Sequence, residues 1–83
     1  AQEQIDFNLE EICFEELPDK YRNKSINEIG VRALTGANII GLKNDDGEFV
    51  INPNPHTIIT SKIKMFALGT PDQIKKLKQL FQV

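Results

Sequence analysis

The 83-residue chain has one cysteine, one histidine, one methionine and no tryptophan. A lone Cys13 cannot form an internal disulfide, and there is neither a CxxC pair nor a His/Cys set at metal-ligand spacing. Redox and metal chemistry therefore have no footing, and a reducing compartment such as the cytoplasm is the expected setting. No apolar run approaches the roughly 20 residues that cross a bilayer, and the acidic N-terminus is unlike the basic start of a signal peptide, so direct membrane insertion is not expected. A basic surplus is missing too. Ten Lys and Arg against twelve Asp and Glu leave a net charge of −2, without the electrostatic footprint of a nucleic-acid binder. Gly36 and Gly41 do not form a GxGxxG phosphate loop. Without paired carboxylates in a plausible cleft, an activated nucleophile or a cofactor loop, the chain is not expected to be an independent enzyme.

What is present is a globular composition: 40% hydrophobic residues, including five Phe, and 27% charged, which excludes a disordered or fibrous class. A domain of this size buries only about 60–65% of its unfolded surface, so its core is marginal and a partner subunit would help. Lys75, Lys76 and Lys78 fall on an amphipathic helix and are expected to be its solvated face.

Residues 5–17 alternate, but the apolar phase changes from Ile5, Phe7 and Leu9 to Ile12 and Phe14 across Glu10 and Glu11. A strand should not change faces without a bulge or break. The expectation is a leading arm, or a remnant of excision, over residues 1–8 and one domain over 9–83, opening with a strand at 9–16. Ser25 with Glu28 is a capping box for a short helix that buries Ile26 and Ile29 and stops at Gly30. A further turn at 32–35 leads to a strand at 37–43, whose adjacent Ile39 and Ile40 place apolar groups on both faces. Such a strand is central or at an interface. Asn44, Asp45, Asp46 and Gly47 supply hairpin chemistry before a returning strand at 49–51, which Asn52 and Pro53 end. Residues 56–61 are a connector or one helical turn. Residues 62–68 alternate as a strand with one well-buried face. Thr70, Pro71, Asp72 and Gln73 then cap a last helix that buries Ile74, Leu77, Leu80 and Phe81. The expected fold class is α+β: a small, mainly antiparallel sheet packed against helices in a single domain.

Several polar groups invite chemistry but have plainer readings. Asp45, Asp46 and Glu48 lack EF-hand spacing and belong to the hairpin turn. Glu10, Glu11, Glu15 and Glu16 are a solubilising edge, and His56 is a polar loop residue. No metal site is expected. Cys13, with strand-type neighbours and nothing basic nearby, is expected to be a small buried hydrophobe.

The order and spacing from Leu9 onward resemble the RCK-C, or TrkA-C, family: the C-terminal regulatory subdomain of potassium channels and of Trk- and Ktr-type transporters. The residues that carry the likeness are Leu9-Glu10-Glu11-Ile12, Lys24-Ser25-Ile26-Asn27-Glu28-Ile29, Arg32, Thr35-Gly36-Ala37, Asn52-Pro53, and Gly69 before the last helix. The chain departs from the family pattern at Asn23, where Gly is usual, and at Ser61-Lys62, where Gly-Asp is usual. Asn tolerates the left-handed backbone, so the turn at Asn23 can survive. The resemblance implies a non-enzymatic regulatory domain at the cytoplasmic face of the membrane, paired as a homodimer and serving a membrane-embedded channel or transporter part. It also implies a cleft at the pairing surface for a small regulator, a nucleotide such as cyclic di-AMP. The ligand-binding candidates are Ile39, Ile40, Asn52 and Pro53, an apolar floor beside polar groups of the kind a nucleotide base needs. Two other readings stay open from the residues: an ACT-like small-molecule-sensing domain of a metabolic enzyme, and a purely structural dimerisation module.

Overall fold

The computed structural model describes residues 6–83. Four strands form one antiparallel sheet: β1 (Asn8–Phe14), β2 (Asn38–Lys43), β3 (Phe49–Ile51) and β4 (Ile63–Gly69), in the spatial order β1-β4-β2-β3. Helices α1 (Ile26–Ile29), α2 (Val31–Thr35) and α3 (Pro71–Leu80) cover one face of it, and a 3-10 turn at Asp19–Tyr21 follows β1. The α+β class expected from the sequence is the class found. None of the described helices is long and apolar enough to cross a membrane.

Side-chain alternation decides the inner face. Ile12 and Phe14 on β1, Ile39 and Leu42 on β2, and Ile63, Met65 and Ala67 on β4 are all buried. Helix α3 closes this face. Thr70 and Gln73 satisfy each other's backbone N–H groups in a capping box, Pro71 occupies the first helical turn, and Ile74 and Leu77 point into the core. Phe81, at the helix end, stacks on Phe14 with ring centroids 5.2 Å apart and takes the edge of Tyr21 at 5.8 Å.

Several details differ from the sequence expectation. Strand β1 runs Asn8–Phe14 rather than to residue 16, and its register with β4 is continuous, with no bulge where the apolar phase changes. Leu9 faces outward and Ile12 inward, so the sequence changes phase while the backbone does not. The strand ends early because its partner begins at Ile63, and Lys62, at φ 61°, turns the chain away. Asn8 belongs to the strand, and the first five residues of the expected arm lie outside the described residues.

Cys13 is exposed, not buried. It alternates with Ile12 and Phe14 and sits opposite Lys64 on the outer face. Residues 56–61 contain no helical turn; they form an irregular connector held to Ser25 by an isolated bridge at Ile58. Lys76 and Lys78 are not simply solvated, since they reach Asp72 at 3.3 Å and Glu10 at 3.1 Å. The hairpin forms as expected. The Gly47 N–H donates to the Asn44 carbonyl at 2.9 Å, and Asp46 accepts from the Glu48 N–H at 2.9 Å.

Strand β2 holds the one register shift described. Ile39 pairs with Ala67 while Gly41 pairs with the adjacent Phe66, leaving Ile40 as the extra residue of a β-bulge. The adjacent isoleucines are thereby separated: Ile39 is buried in the core and Ile40 is half-buried at the bulge.

Candidate functional site

A cleft of about 310 Å³ opens where α1, α2, the start of β2 and the loop after β3 converge. Ile26 and Asn27 of α1 form one wall, and Gly30, Val31, Arg32 and Ala33 the next. Ala37, Asn38 and Ile39 lie along the β2 side, and Pro53 and Pro55 complete the lining.

Local chemistry makes these walls rigid. The Ser25 hydroxyl accepts from the Glu28 N–H at 3.1 Å, and the Glu28 carboxylate accepts from the Ser25 N–H at 3.1 Å. Two more N–H groups of the first turn are satisfied by the loop: Ile26 donates to the Thr57 carbonyl at 3.0 Å and Asn27 to the Pro55 carbonyl at 2.9 Å. The helix start and the proline loop thus hold one another, and orphan donors that would otherwise need water are paired. The hydrogen bonds from the Ser25 backbone and hydroxyl hold the Glu28 carboxyl below its ordinary range, with lesser help from the nearby Lys24 and His56 charges.

Gly30 is the corner of the cleft. At φ 78° it is both the left-handed end of α1 and the start of α2, so the chain turns sharply between two very short helices. Glu28 stands four residues before Arg32, the spacing of a helical ion pair, but the break at Gly30 removes that geometry. Arg32 makes no ion pair among the described residues. Its guanidinium is exposed at a cleft whose other polar contributions come from Asn27 and Asn38. An unpaired planar cation beside an apolar wall can hold a group that is anionic at one end and ring-shaped at the other.

The four sequence candidates divide into two pairs. Ile39 and Pro53 line the cleft. Ile40 and Asn52 stand outside it, joined to each other: the Asn52 N–H donates to the Ile40 carbonyl at 2.8 Å, with Asn52 in the left-handed region at φ 50°. Arg32, Asn27 and Asn38 were not among the sequence candidates for the site. Arg32 could have been found from its place after the helix-stopping Gly30, which denies it Glu28 as a partner; Asn27 and Asn38 carry no comparable signal.

Known proteins bear on this geometry. The RCK_C domain dimer of S. agalactiae BusR, solved in complex with c-di-AMP, superposes with a TM-score of 0.78 at 28% identity, covering 89% of this chain and 95% of that one. The KtrA RCK C domain in complex with cyclic diadenosine monophosphate gives 0.74 at 25% identity, over 88% of this chain and 81% of that one. A longer BusR chain is also solved in complex with its busA-promoter DNA, and this chain covers 40% of it. The expectation of no nucleic-acid partner therefore does not extend to every protein that carries such a domain. Potassium channel protein 1 of Methanocaldococcus jannaschii is 37% identical over 57 residues, which are 69% of this chain and 17% of that protein. The chain thus spans under a fifth of the length of that curated relative. The TrkA-C domain matches residues 15–82, nearly the whole of the described structure, in place of the ACT-like alternative, and the chain belongs to the TrkA-C family.

Proposed function

We propose that this chain is the ligand-sensing, dimerising regulatory domain of a potassium channel or potassium transporter. It works at the cytoplasmic face of the membrane, spans the chain from the start of β1 at Asn8 onward, and acts by binding rather than catalysis. The observation that carries the reading is the cleft itself: an unpaired Arg32 beside an apolar wall, in a domain whose relatives BusR and KtrA are solved with a cyclic dinucleotide. In this reading Arg32 meets a phosphate, Ile39 and Pro53 give a base its apolar floor, and Asn27 and Asn38 hydrogen-bond its edge or the sugar. Ile40 and Asn52 belong to the rim, where a second copy of the chain approaches. A ligand that binds one dimer geometry better than another shifts the equilibrium between them by that difference in affinity, which is how occupancy would reach a gate.

Calorimetric titration with cyclic di-AMP tests this, alongside sedimentation. A dimer that binds the nucleotide, and that loses at least tenfold in affinity on Arg32→Ala, is the expected result, because a charge-assisted hydrogen bond contributes about 1.5–3 kcal/mol. A dimer whose melting temperature responds to no cyclic dinucleotide or adenine nucleotide would leave only the structural dimerisation reading.

A further inference from the structure

Two prolines of the loop after β3, Pro53 and Pro55, line the cleft, while Asn54 between them does not. Asn54 nevertheless makes two hydrogen bonds that shape this loop. Its side-chain Oδ1 accepts from the His56 N–H at 2.8 Å, closing an Asx turn, and its carbonyl accepts from the Thr57 N–H at 2.8 Å, closing a β-turn over the same residues. The order of residue types suits both rings. Asn is favoured at the first position of such a turn and Pro at the second, and Pro55 keeps Asn54 itself in the extended region.

The turn presents two acceptors to α1. The Pro55 carbonyl accepts from the Asn27 N–H at 2.9 Å and the Thr57 carbonyl from the Ile26 N–H at 3.0 Å. Both donors belong to residues that line the cleft. The next residues continue the join, since Ile58 bridges to Ser25 and the Ile59 N–H donates to the Lys24 carbonyl at 3.2 Å. With only four residues, α1 is too short to be held by its own helical bonds, so the loop carbonyls fix where Ile26 and Asn27 stand relative to Pro53 and Pro55. Without the Asn54 side chain, the His56 N–H is left to water and the turn that aims those carbonyls keeps one closing bond in place of two.

We infer that Asn54 is a positioning residue for the cleft: through its Asx turn it sets the proline loop against the first turn of α1, and so raises affinity for a ligand whose site it does not line. The inference rests on the nucleotide-binding reading of that cleft.

Two measurements on the whole 83-residue chain test it, one of them without ligand. Asn54 is exposed, so its variants are expected to fold. In the isotope-labelled chain, Asn54→Ala should move the amide proton signals of Ile26 and Asn27 upfield as their bonds to the loop lengthen, with Met65 and Leu77 in the core unmoved. Asn54→Asp, which keeps the acceptor oxygen, should restore those signals. By calorimetry Asn54→Ala should bind cyclic di-AMP about fivefold more weakly, the scale of one net hydrogen bond. Asn54→Ser, which can make the same turn more weakly and adds no charge, should recover part of that loss. A core variant away from the cleft, Ile63→Val, should lower the melting temperature and leave both readouts at their wild-type values. Unmoved Ile26 and Asn27 signals in Asn54→Ala, or wild-type affinity in that variant, would overturn the inference. Absence of binding by the wild-type chain would instead remove the nucleotide reading, and the amide signals would then decide the positioning of the loop by themselves.

Discussion

The two faces of this sheet carry comparable apolar residues and lead opposite lives. Met65 on the inner face is 0% exposed under α3, while Leu68, three residues along the same strand, is 37% exposed on the outer one. Nothing in the side chains accounts for the contrast. It follows from the side over which the helices pass. The inner face holds the domain together, and the outer face leaves Leu9 and Ile51 largely in solvent.

The comparison breaks most visibly if the core is emptied. Met65→Ala should lower unfolding stability by roughly 2–5 kcal/mol, as for other large-to-small core changes, whereas Leu68→Ala should cost under about 1 kcal/mol. Urea denaturation of both variants measures this, and equal costs would mean that the outer face is a second core. Next in size is Gly36→Ala, at φ 77°, where the new methyl would stand 2.7 Å from Gln73 Nε2 and disturb the cap that seats α3. The left-handed backbone alone makes this about 1–2 kcal/mol, read as a lower melting temperature.

Ser25→Ala should cost about 1 kcal/mol through the lost cap, and it has a pH signature. The native Glu28 pKa is depressed, so the carboxylate contributes stability that is fully present above the ordinary glutamate value. That contribution is lost as pH falls through the depressed native value. The wild type should therefore lose more stability than Ser25→Ala between neutral pH and pH values below the glutamate range, while Leu68→Ala keeps the wild-type slope. Smallest, and opposite in sign, is Lys62→Gly. Relief of the left-handed backbone at φ 61°, less the entropy of a new glycine, should raise stability by about 0.5–1 kcal/mol. A chevron or urea midpoint detects it.

Much of the fold was legible because it rests on local chemistry. Ser25 with Glu28 and Thr70 with Gln73 announce helix starts through donors that only those spacings satisfy, and residues 44–47 announce a hairpin through turn geometry. Alternation failed where it assumed that one face of a strand must be polar. The phase change across Glu10 and Glu11 suggested a bulge or a break, read as a leading arm before the strand, but β1 keeps one continuous register and the bulge lies at Ile40 in β2. Cys13 was misjudged because its neighbours are strand-like, and only the register with Lys64 shows that it faces out. Ile39 and Pro53, named as candidates through the family resemblance, line the cleft, while Ile40 and Asn52 stand outside it. Arg32 has no ion-pair partner among the described residues, as the helix stop that the sequence places at Gly30 already implies.

The sequence by itself determined the elements, their caps, the hairpin and the family, because each depends on interactions between residues three to five positions apart or on a pattern that survives without coordinates. The tertiary structure alone decided which apolar residues become core, that Ile39 and Ile40 part ways at a bulge, and that Arg32 and Pro53 line one cleft. Those outcomes depend on strand register and on which face the helices cover, and both are set by contacts between residues far apart in the chain.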